Sequence, residues 1–444
     1  MSASRRGQAI VVGAGIAGIT AARALADRFA RVHVIERDPG VTPRPHVPHQ
    51  PHTHVLGAQG YRLLCRQFAG FDEDMAASGA PRFDYGQCPY FVGRWAPRGP
   101  FGLVSRSSTR ALLEAVLRRR LAACTKNVEL ATDQRVRGYV LGDDRVTAVR
   151  LEDGRTLEAD LIVDAAGMGS KTPEWIAGHG FPTPDRTEVD LNGGVVTRLF
   201  RPAPGKADDF VIMNIRRTPG NPRHGVLSLV EGGLWRASLW GIAGTRPDKE
   251  LPGFLAFARS LPVSTMAELL EDAEPVSPPY RYGNAWAQWI HYERLPRFPE
   301  GLVVIGDATF HPNYEHGQGI TFCAMTADVL GAHLDHHELG ARHGSSLHFQ
   351  RELAATVAPW WDWNLATELT VPDVQATPAP PATPTLASRV TALRHRYFRF
   401  MRQASVHDAR LWQAIIEVNQ AVRSPRSLLH PEPVWRALRA GRAG

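Results

Sequence analysis

The first seventy residues alternate short apolar runs with turn-forming and helix-forming segments. Residues 9–12 (AIVV) form an apolar run of strand length, and residues 20–26 (TAARALA) are good helix formers. A second β-branched run, 32–35 (VHVI), ends at Glu36. This pattern predicts a strand, a tight turn, a helix and a second strand, the start of a βαβ unit.

The turn of this predicted unit is rich in glycine. Glycine allows a sharp turn and lets the backbone approach a pyrophosphate, while the following helix offers free N–H groups and the positive end of its dipole. Glu36 stands where a carboxylate can accept hydrogen bonds from a ribose. The candidate cofactor-binding residues of this unit are Gly13, Gly15, Ala17, Gly18, Glu36 and Arg37. The pattern indicates a dinucleotide site; the alternative is a glycine-rich turn that binds nothing.

A second site for the same cofactor is predicted near residue 307. The apolar run 302–305 predicts a strand, and Asp307 follows at its carboxyl end, where open α/β sheets bind ligands. A helix is predicted from residue 321, with an N-terminus suited to an anionic isoalloxazine or a pyrophosphate. The further candidates are Gly317, Gln318 and Gly319 before this helix, Asp164 and Gly167 after the predicted strand 159–163, and Arg110 at the start of another predicted helix. Only a cofactor as long as FAD would touch both sites.

The apolar pattern also divides the chain into regions. From residue 187 to 243, short β-rich runs alternate with Pro, Gly and Asn turns, which predicts an antiparallel sheet at the floor of a substrate pocket. The predicted fold is α/β, with a Rossmann-like FAD-binding domain in three pieces, an inserted and mainly antiparallel β substrate domain, and a C-terminal helical region. The FAD-binding pieces are 1–75, 106–178 and 296–345, the substrate-domain segments are 76–105 and 179–295, and the helical region is 346–444 with a proline-rich linker at 373–386.

Several short motifs carry a family resemblance. The glycine-rich turn, the segment 159–170 and the segment from Asp307 to Gly319 resemble, in this order and spacing, the single-component FAD monooxygenases similar to para-hydroxybenzoate hydroxylase. Residues 48–56 (PHQPHTHVL), 109–114 (TRALLE) and 363–368 (WNLATE) look most like the bacterial branch that contains polyether-type epoxidases. Three positions depart from that branch, with His49 in place of Gln, Met168 in place of Arg and Tyr314 in place of Pro. The last departure bears on the oxygen chemistry.

The resemblance implies a reaction. Non-covalent FAD would be reduced by transiently bound NADPH or NADH, and O2 would form a flavin C4a-hydroperoxide that epoxidises or hydroxylates an apolar biosynthetic intermediate. The candidate catalytic residues are His54, Asn313 and Tyr314. A base helps phenol hydroxylation, and the sequence offers no obvious one, which favours epoxidation.

Two other activities fit the same predicted cofactor. One is an FAD-dependent reductase or dehydrogenase acting on a prenyl or polyketide substrate, which would not consume O2. The other is a flavin-dependent halogenase, which would need a lysine early in the chain. The first lysine is Lys126, so the halogenase is the least favoured.

Composition narrows the picture further. The chain has 444 residues, 43% hydrophobic and 21% charged, which is an ordinary globular balance and long enough for two domains. Its net charge of +7 suits an anionic cofactor, and no nucleic-acid-binding pattern accompanies it. The four cysteines have no paired spacing, and no apolar window is long enough for a signal peptide or a membrane span. We expect a cytoplasmic protein without stable membrane insertion; peripheral membrane contact is left open.

Three side-chain clusters allow two interpretations each. The loop histidines could bind a metal, but prolines interrupt them and no carboxylate or thiolate completes the set, so a loop packed over the flavin is favoured and no metal is predicted. Three tryptophans could line a substrate channel or lie in the core. The arginines of a later helix could rest on a membrane, although a helix packed on the cofactor domain is favoured. The residues concerned are His46, His49, His52 and His54; Trp360, Trp361 and Trp363; and Arg389, Arg394, Arg396, Arg399 and Arg402.

Overall fold

A computed structural model describes residues 6–40, 44, 46–206, 209–283, 286–337, 344–371, 374–378 and 385–441. Half of the predicted proline-rich linker, 373–386, lies outside the described residues. The predicted α/β class is confirmed, since a parallel sheet, a mainly antiparallel sheet and a helical C-terminal region all occur.

The elements are numbered here in chain order. The described strands are β1 (Arg6–Val12), β2 (Phe29–Ile35), β3 (Arg82–Asp84), β4 (Tyr90–Phe91), β5 (Val104–Arg106), β6 (Val128–Ala131), β7 (Val136–Leu141), β8 (Val146–Leu151), β9 (Thr156–Glu158), β10 (Leu161–Asp164), β11 (Arg186–Asp190), β12 (Gly194–Arg201), β13 (Ile212–Ile215), β14 (Arg223–Val230), β15 (Leu234–Gly241), β16 (Glu274–Pro275), β17 (Tyr280–Tyr282), β18 (Trp286–Ile290), β19 (Leu302–Val304), β20 (Phe310–His311) and β21 (Gln375–Thr377). The described α-helices are α1 (Ile16–Ala26), α2 (Ala58–Gln67), α3 (Phe71–Ala77), α4 (Arg110–Cys124), α5 (Thr172–Gly178), α6 (Leu251–Arg259), α7 (Thr265–Glu271), α8 (Gly319–His336), α9 (Ser345–Glu368), α10 (Leu386–Ser405), α11 (Ala409–Asn419) and α12 (Pro431–Ala440).

A parallel sheet carries the predicted cofactor side. Among the described residues its order is β19-β10-β1-β2-β6, so its strands come from three separate stretches of the chain. β1 pairs in parallel with β2 and β10, which places Val12 opposite both Ile35 and Asp164. The carboxyl ends of parallel strands meet at one edge. The turns that follow β1, β10 and β19 therefore lie together, although some 290 residues separate the first from the last.

The predicted antiparallel sheet is also present, in the described order β16-β12-β15-β14-β13-β4 with β17 paired to β12. Successive side chains of a strand point to opposite faces. On one face, residues such as Leu227 and Leu239 belong to a core cluster with Phe254 of α6. On the other face, Val226 and Trp240 line a pocket. One face of the sheet thus packs against α6 and the other face lines the pocket. This is the arrangement expected of a sheet that forms the floor of a pocket.

The C-terminal helices resolve two of the open interpretations. Trp360, Trp361 and Trp363 of α9 are at most 7% exposed and belong to the core rather than to the pocket lining. The arginine-rich helix α10 packs against α9, α11 and α12, with Phe398 and Met401 buried. As favoured, α10 packs against the rest of the protein. The expected neighbour was the cofactor domain, whereas these neighbours are other C-terminal helices. No described helix is both long and apolar enough to cross a bilayer.

Candidate functional site

A continuous pocket joins the edge of the parallel sheet to the face of the antiparallel sheet. At one end it is lined by the turn after β1, by Asp307 after β19, and by the residues that begin α8. At the other end it is lined by β12, β14, β15 and α11. We call the first part the cofactor half and the second the substrate half. Tyr314 lines the pocket on the short turn that precedes α8.

The glycines of the first turn have two different roles. Gly13 has φ of 101°, and a Cβ at Gly18 would lie 1.8 Å from the Gly13 carbonyl oxygen, so these two glycines allow the turn to close on itself. Gly15 and Ala17 line the pocket instead. A Cβ at Gly15 would meet only an Arg44 guanidinium nitrogen, at 3.6 Å. The predicted residues of this turn therefore divide into residues that shape the backbone and residues that face the pocket.

Two long helices begin at this pocket with free N-termini. Gly15 precedes α1 and Gln318 precedes α8, and neither gives a side-chain cap to its helix. Neither helix has an acidic residue in its first turn. A Cβ at Gly319 would meet no atom within 4 Å, so the space in front of α8 is open. Uncapped N–H groups and the dipole of each helix favour an anion.

Glu36, which was expected to accept hydrogen bonds from a ribose, accepts hydrogen bonds from nearby groups of the protein. It is 2% exposed, and its carboxylate accepts hydrogen bonds from the backbone N–H groups of Ala14 (2.7 Å) and Asp38 (2.9 Å). It also forms an ion pair with Arg44 at 2.6 Å. Contacts within the chain thus use three of its acceptor positions, and it holds Arg44 beside the turn.

Arg44 is a residue that the sequence pattern did not reveal. Its guanidinium contacts the carboxylates of Glu36, Asp38 and Glu114, and it lies next to Gly15. Burial lowers the pKa of Arg44, but these three carboxylates raise it on balance. Arg44 is therefore a fixed cation at the pocket turn. Arg37, which was predicted to bind the cofactor, is exposed and does not line the pocket.

Asp307 faces the pocket as predicted. Its side chain is 32% exposed, and one of its oxygens lies 3.4 Å from His311 Nδ1. Burial would raise the pKa of Asp307, but His311, His49 and Arg110 lower it on balance, so the group is a carboxylate. A carboxylate open to the pocket can accept hydrogen bonds from a polyol chain.

Three predicted site residues use their side chains for contacts within the protein, and of these only Gln318 lines the pocket. The carboxylate of Asp164 accepts from Ala166 N (2.9 Å), Thr172 Oγ1 (2.5 Å) and Ser170 Oγ, which fixes the turn that carries the pocket residue Gly167. The Gln318 amide donates to Asn419 O (3.1 Å) and ties α8 to α11.

Asn313 is the third of these residues. It is 1% exposed, does not line the pocket, and its Oδ1 accepts from Glu315 N at 3.0 Å. Asn313 therefore caps the turn of Tyr314. Of these two predicted catalytic residues only Tyr314 lines the pocket, and its catalytic role stays a prediction.

Arg110 organises two of the loop histidines at the pocket wall. The Nη1 atom of Arg110 donates to His49 Nε2 (2.8 Å) and to His54 Nε2 (2.9 Å), while its Nε atom donates to Glu114 (2.7 Å). Burial, followed by the charge of Arg110, lowers the pKa of His49 to about 3 and that of His54 well below its ordinary value. Both imidazoles are neutral. His54 can thus position groups at the pocket, but it is not an acid at neutral pH.

Two of the loop histidines have partners within the protein. His46 is paired with Asp38, and His52 Nδ1 lies 2.8 Å from Thr197 Oγ1. A different trio, His333, His337 and Glu352 between α8 and α9, brings its ligand atoms within 4.8 Å of one another among the described residues. These residues lie outside the pocket lining.

Comparison with known proteins identifies the fold. Residues 11–67 match the family described as NAD(P)-binding Rossmann-like domain, and residues 108–181 match the family described as tryptophan halogenase. Protein Rv3254 of Mycobacterium tuberculosis is 29% identical over 397 residues, which cover 84% of this chain and 82% of that protein. 3-Hydroxybenzoate 6-hydroxylase 1 of Aquipseudomonas alcaligenes is 25% identical over 352 residues, which cover 73% of this chain and 80% of that protein.

Among solved structures, PqsL from Pseudomonas aeruginosa, a probable FAD-dependent monooxygenase, aligns with a TM-score of 0.62 and 14% identity, covering 88% of this chain and 99% of its own. The chain has the FAD-dependent monooxygenase fold. Flavin-dependent halogenases share this fold, since CmlS aligns with a TM-score of 0.64 and 16% identity over 91% of this chain and 72% of its own. The relatives of this flavoprotein fold imply FAD as cofactor and NAD(P)H as reductant.

The pocket fits FAD. The free N-termini of α1 and α8 suit an anionic cofactor, and Asp307 suits its ribityl chain. The sequence pattern found the glycine-rich parts of this site. It did not reveal Arg44 or the contribution of α11, since neither belongs to a glycine-rich motif.

Proposed function

We propose that this protein is an FAD-dependent monooxygenase that uses NAD(P)H and O2 to transfer one oxygen atom to a small biosynthetic intermediate. The observation that carries the proposal is the continuous pocket, which joins a site suited to FAD to a second cavity under the antiparallel sheet. Bound FAD would supply electron transfer from NAD(P)H and activation of O2. The relative from Aquipseudomonas alcaligenes, whose name describes a hydroxylase of an aromatic acid, supports this class.

The residues of the pocket would have distinct tasks. The N-terminus of α1 would hold the pyrophosphate, Asp307 would hold the ribityl chain, and the N-terminus of α8 would face an electron-rich part of the flavin. The apolar walls of the substrate half, including Val195, Val226 and Trp240, would exclude water from the oxygen-transfer step.

We propose epoxidation of an alkene as the finer reaction, and hydroxylation as its alternative. Epoxidation needs no proton removal from the substrate. Burial, followed by the charge of Arg110, lowers the pKa of His49 and of His54, so neither imidazole is an effective base. Hydroxylation draws some support from a hydroxyl chain, in which Thr53 Oγ1 lies 2.7 Å from Ser238 Oγ and Thr197 Oγ1 lies 2.6 Å from Ser238 Oγ. His52 ends this chain at Thr197, but burial, followed by the charge of Arg236, lowers its pKa to about 4, which makes it a weak proton acceptor.

A halogenase is less consistent with the pocket. The match of residues 108–181 to the tryptophan halogenase family favours that activity, but a halogenase is expected to place a lysine beside its reaction channel. Lys126 is exposed, and none of the described pocket-lining residues is a lysine.

The test is oxygen and product analysis with the purified, FAD-loaded protein. NAD(P)H oxidation should consume O2, and mass spectrometry after reaction under labelled O2 should show one labelled oxygen in the product of a candidate intermediate. NAD(P)H oxidation without O2 consumption would support the reductase alternative. A chlorinated or brominated product formed in the presence of halide would support the halogenase.

A further inference from the structure

The far end of the substrate half is strongly charged, which an apolar substrate would not require. The pocket lining there includes three arginines and one glutamate, while a second glutamate lies behind them. They are Arg216, Arg217, Arg402, Glu315 and Glu368.

The two carboxylates of this cluster already have partners. Glu315 is 5% exposed and pairs with Arg216 at 3.0 Å and with Arg217 at 3.1 Å. Glu368 is 1% exposed and accepts a hydrogen bond from His316 Nε2 at 2.9 Å. Both glutamates are therefore engaged before any ligand binds.

Among the described residues, Arg402 forms no ion pair of this kind. Its guanidinium carbon lies 3.6 Å from the ring centroid of Trp363, which fixes its position, and its Nη1 is buried without a hydrogen-bond partner among the described residues. Burial, followed by the charges of Arg216 and Arg217, lowers the pKa of Arg402 well below its ordinary value. A buried cation without an acceptor is costly unless a ligand compensates it.

The charges of the cluster do not cancel. Three guanidinium groups face two carboxylates, which leaves one positive charge in excess. The nearby His224 does not change this sum, because burial lowers its pKa to about 4 and it is neutral at pH 7. The remainder of the substrate half is mainly apolar, with Tyr90, Trp412 and Ile415 in its wall.

We propose that Arg402 binds a carboxylate, or an equally acidic group, of the substrate. The substrate would then have an apolar body along the antiparallel sheet and an anionic end at Arg402, which revises the expectation of a purely apolar compound. The inference rests on the proposed function, because it takes this cavity to be the substrate's. A phosphate of NAD(P)H has the same anionic chemistry, but the cluster leaves only one spare cation, which suits a single carboxylate better than a dinucleotide.

The experiment compares acids with their neutral amides on the FAD-loaded protein. The probes are 3-hydroxybenzoate with 3-hydroxybenzamide and cinnamate with cinnamamide, titrated while the flavin spectrum and tryptophan fluorescence are recorded. Hydrogen bonds to charged groups are the strong ones, so we expect at least one acid to bind about tenfold more tightly than its amide. Arg402→Met should remove this preference, and Arg402→Lys should restore part of it. Arg396→Met, at an exposed arginine of the same helix, is the matched control and should keep it.

The outcomes are distinguishable. Equal binding of acid and amide, no binding of either, or a preference that survives Arg402→Met would overturn the carboxylate site. If Arg402→Met instead weakened NADPH binding, measured from the dependence of flavin reduction rate on NADPH concentration, the anion would be the nicotinamide cofactor's phosphate. Acid binding through Arg402 in a protein that consumes no O2 with NAD(P)H would sink the proposed function and leave the site intact, because tryptophan fluorescence does not depend on turnover.

Discussion

The two halves of the pocket are built from different parts of the polypeptide. The cofactor half consists largely of backbone, namely the turn after β1 and the uncapped N-termini of α1 and α8. The substrate half consists of side chains from β12, β14, β15, α10 and α11. Backbone that must approach a ligand requires glycine at fixed positions, whereas a cavity wall accepts many side chains of suitable size. The first half therefore tolerates substitution poorly and the second half can be varied.

The largest effect should follow from Gly18→Ala. The added Cβ would lie 1.8 Å from the Gly13 carbonyl oxygen, which is backbone and cannot rotate away. We expect loss of soluble, folded protein, measured by expression yield and circular dichroism. Gly169→Ala is the matched control, because a Cβ there meets no atom within 4 Å. If Gly18→Ala folds as well as the control, the backbone of the cofactor half tolerates substitution, and the proposed difference between the two halves is wrong.

The next largest effect should be the loss of FAD from a protein that still folds. Gly15 has φ of −71° and ψ of −178°, a backbone conformation that valine adopts easily, and its Cβ position is nearly open. Gly15→Val should therefore fold but lose FAD, because the side chain occupies the approach of a pyrophosphate. Asp307→Ala should also lose FAD by removing the acceptor for the ribityl chain. The measurement is the ratio of flavin to protein absorbance after purification.

Full flavin occupancy in both variants would contradict the assignment of the cofactor half. Unfolding of Gly15→Val would contradict the distinction between Gly15 and Gly18, since only Gly18 meets backbone at short distance.

This difference between the halves explains what the sequence could predict. The apolar runs predicted β1, β2, β10 and β19, and the glycine pattern predicted the cofactor pocket, because both are local consequences of backbone geometry. Arg44 was missed because its role depends on carboxylates up to 70 residues away, including Glu114. Arg402 was seen only as one of several arginines on a helix, since no local pattern shows which of them turns towards the pocket.

Some predicted residues had the correct location but another task. Asp164 and Asn313 are polar residues at turns beside the pocket, and in both cases the side chain bonds to nearby backbone N–H groups. Asx side chains compete for local backbone groups in this way. A polar residue at a predicted ligand-binding turn can therefore be a residue that fixes the turn, and sequence alone does not separate the two.

A third prediction concerns the boundary between the halves. Tyr314 lies edge-on to Trp240, with ring centroids 6.1 Å apart, and its hydroxyl has no hydrogen-bond partner among the described residues. Tyr314→Ala should keep FAD but admit water, so that several-fold less product forms per NAD(P)H oxidised. Tyr314→Phe is the matched variant, and should stay coupled if the ring alone closes the boundary. The measurement is the ratio of product to NAD(P)H consumed, and an unchanged ratio in Tyr314→Ala would place the oxygen-transfer step elsewhere.

The smallest effect is an acid sensitivity that both halves should share. Burial lowers the pKa of His49, in the cofactor half, to about 3, and that of His224, which packs against Trp240 beside the substrate half, to about 4. An unfolded histidine has a pKa of about 6.5, so between these values the unfolded chain binds more protons and stability falls as the pH drops below about 6.5. At pH 5 the loss of stability is at most about 2 kcal/mol for each histidine.

The free energy of unfolding should be measured by denaturant titration at pH 7.5, 6.5 and about 5. His49→Gln and His224→Gln should each flatten this pH dependence, whereas the exposed His430→Gln should leave it unchanged. If only one of the two variants flattens the pH dependence, then only that region of the pocket contains a histidine that must stay neutral in the folded protein.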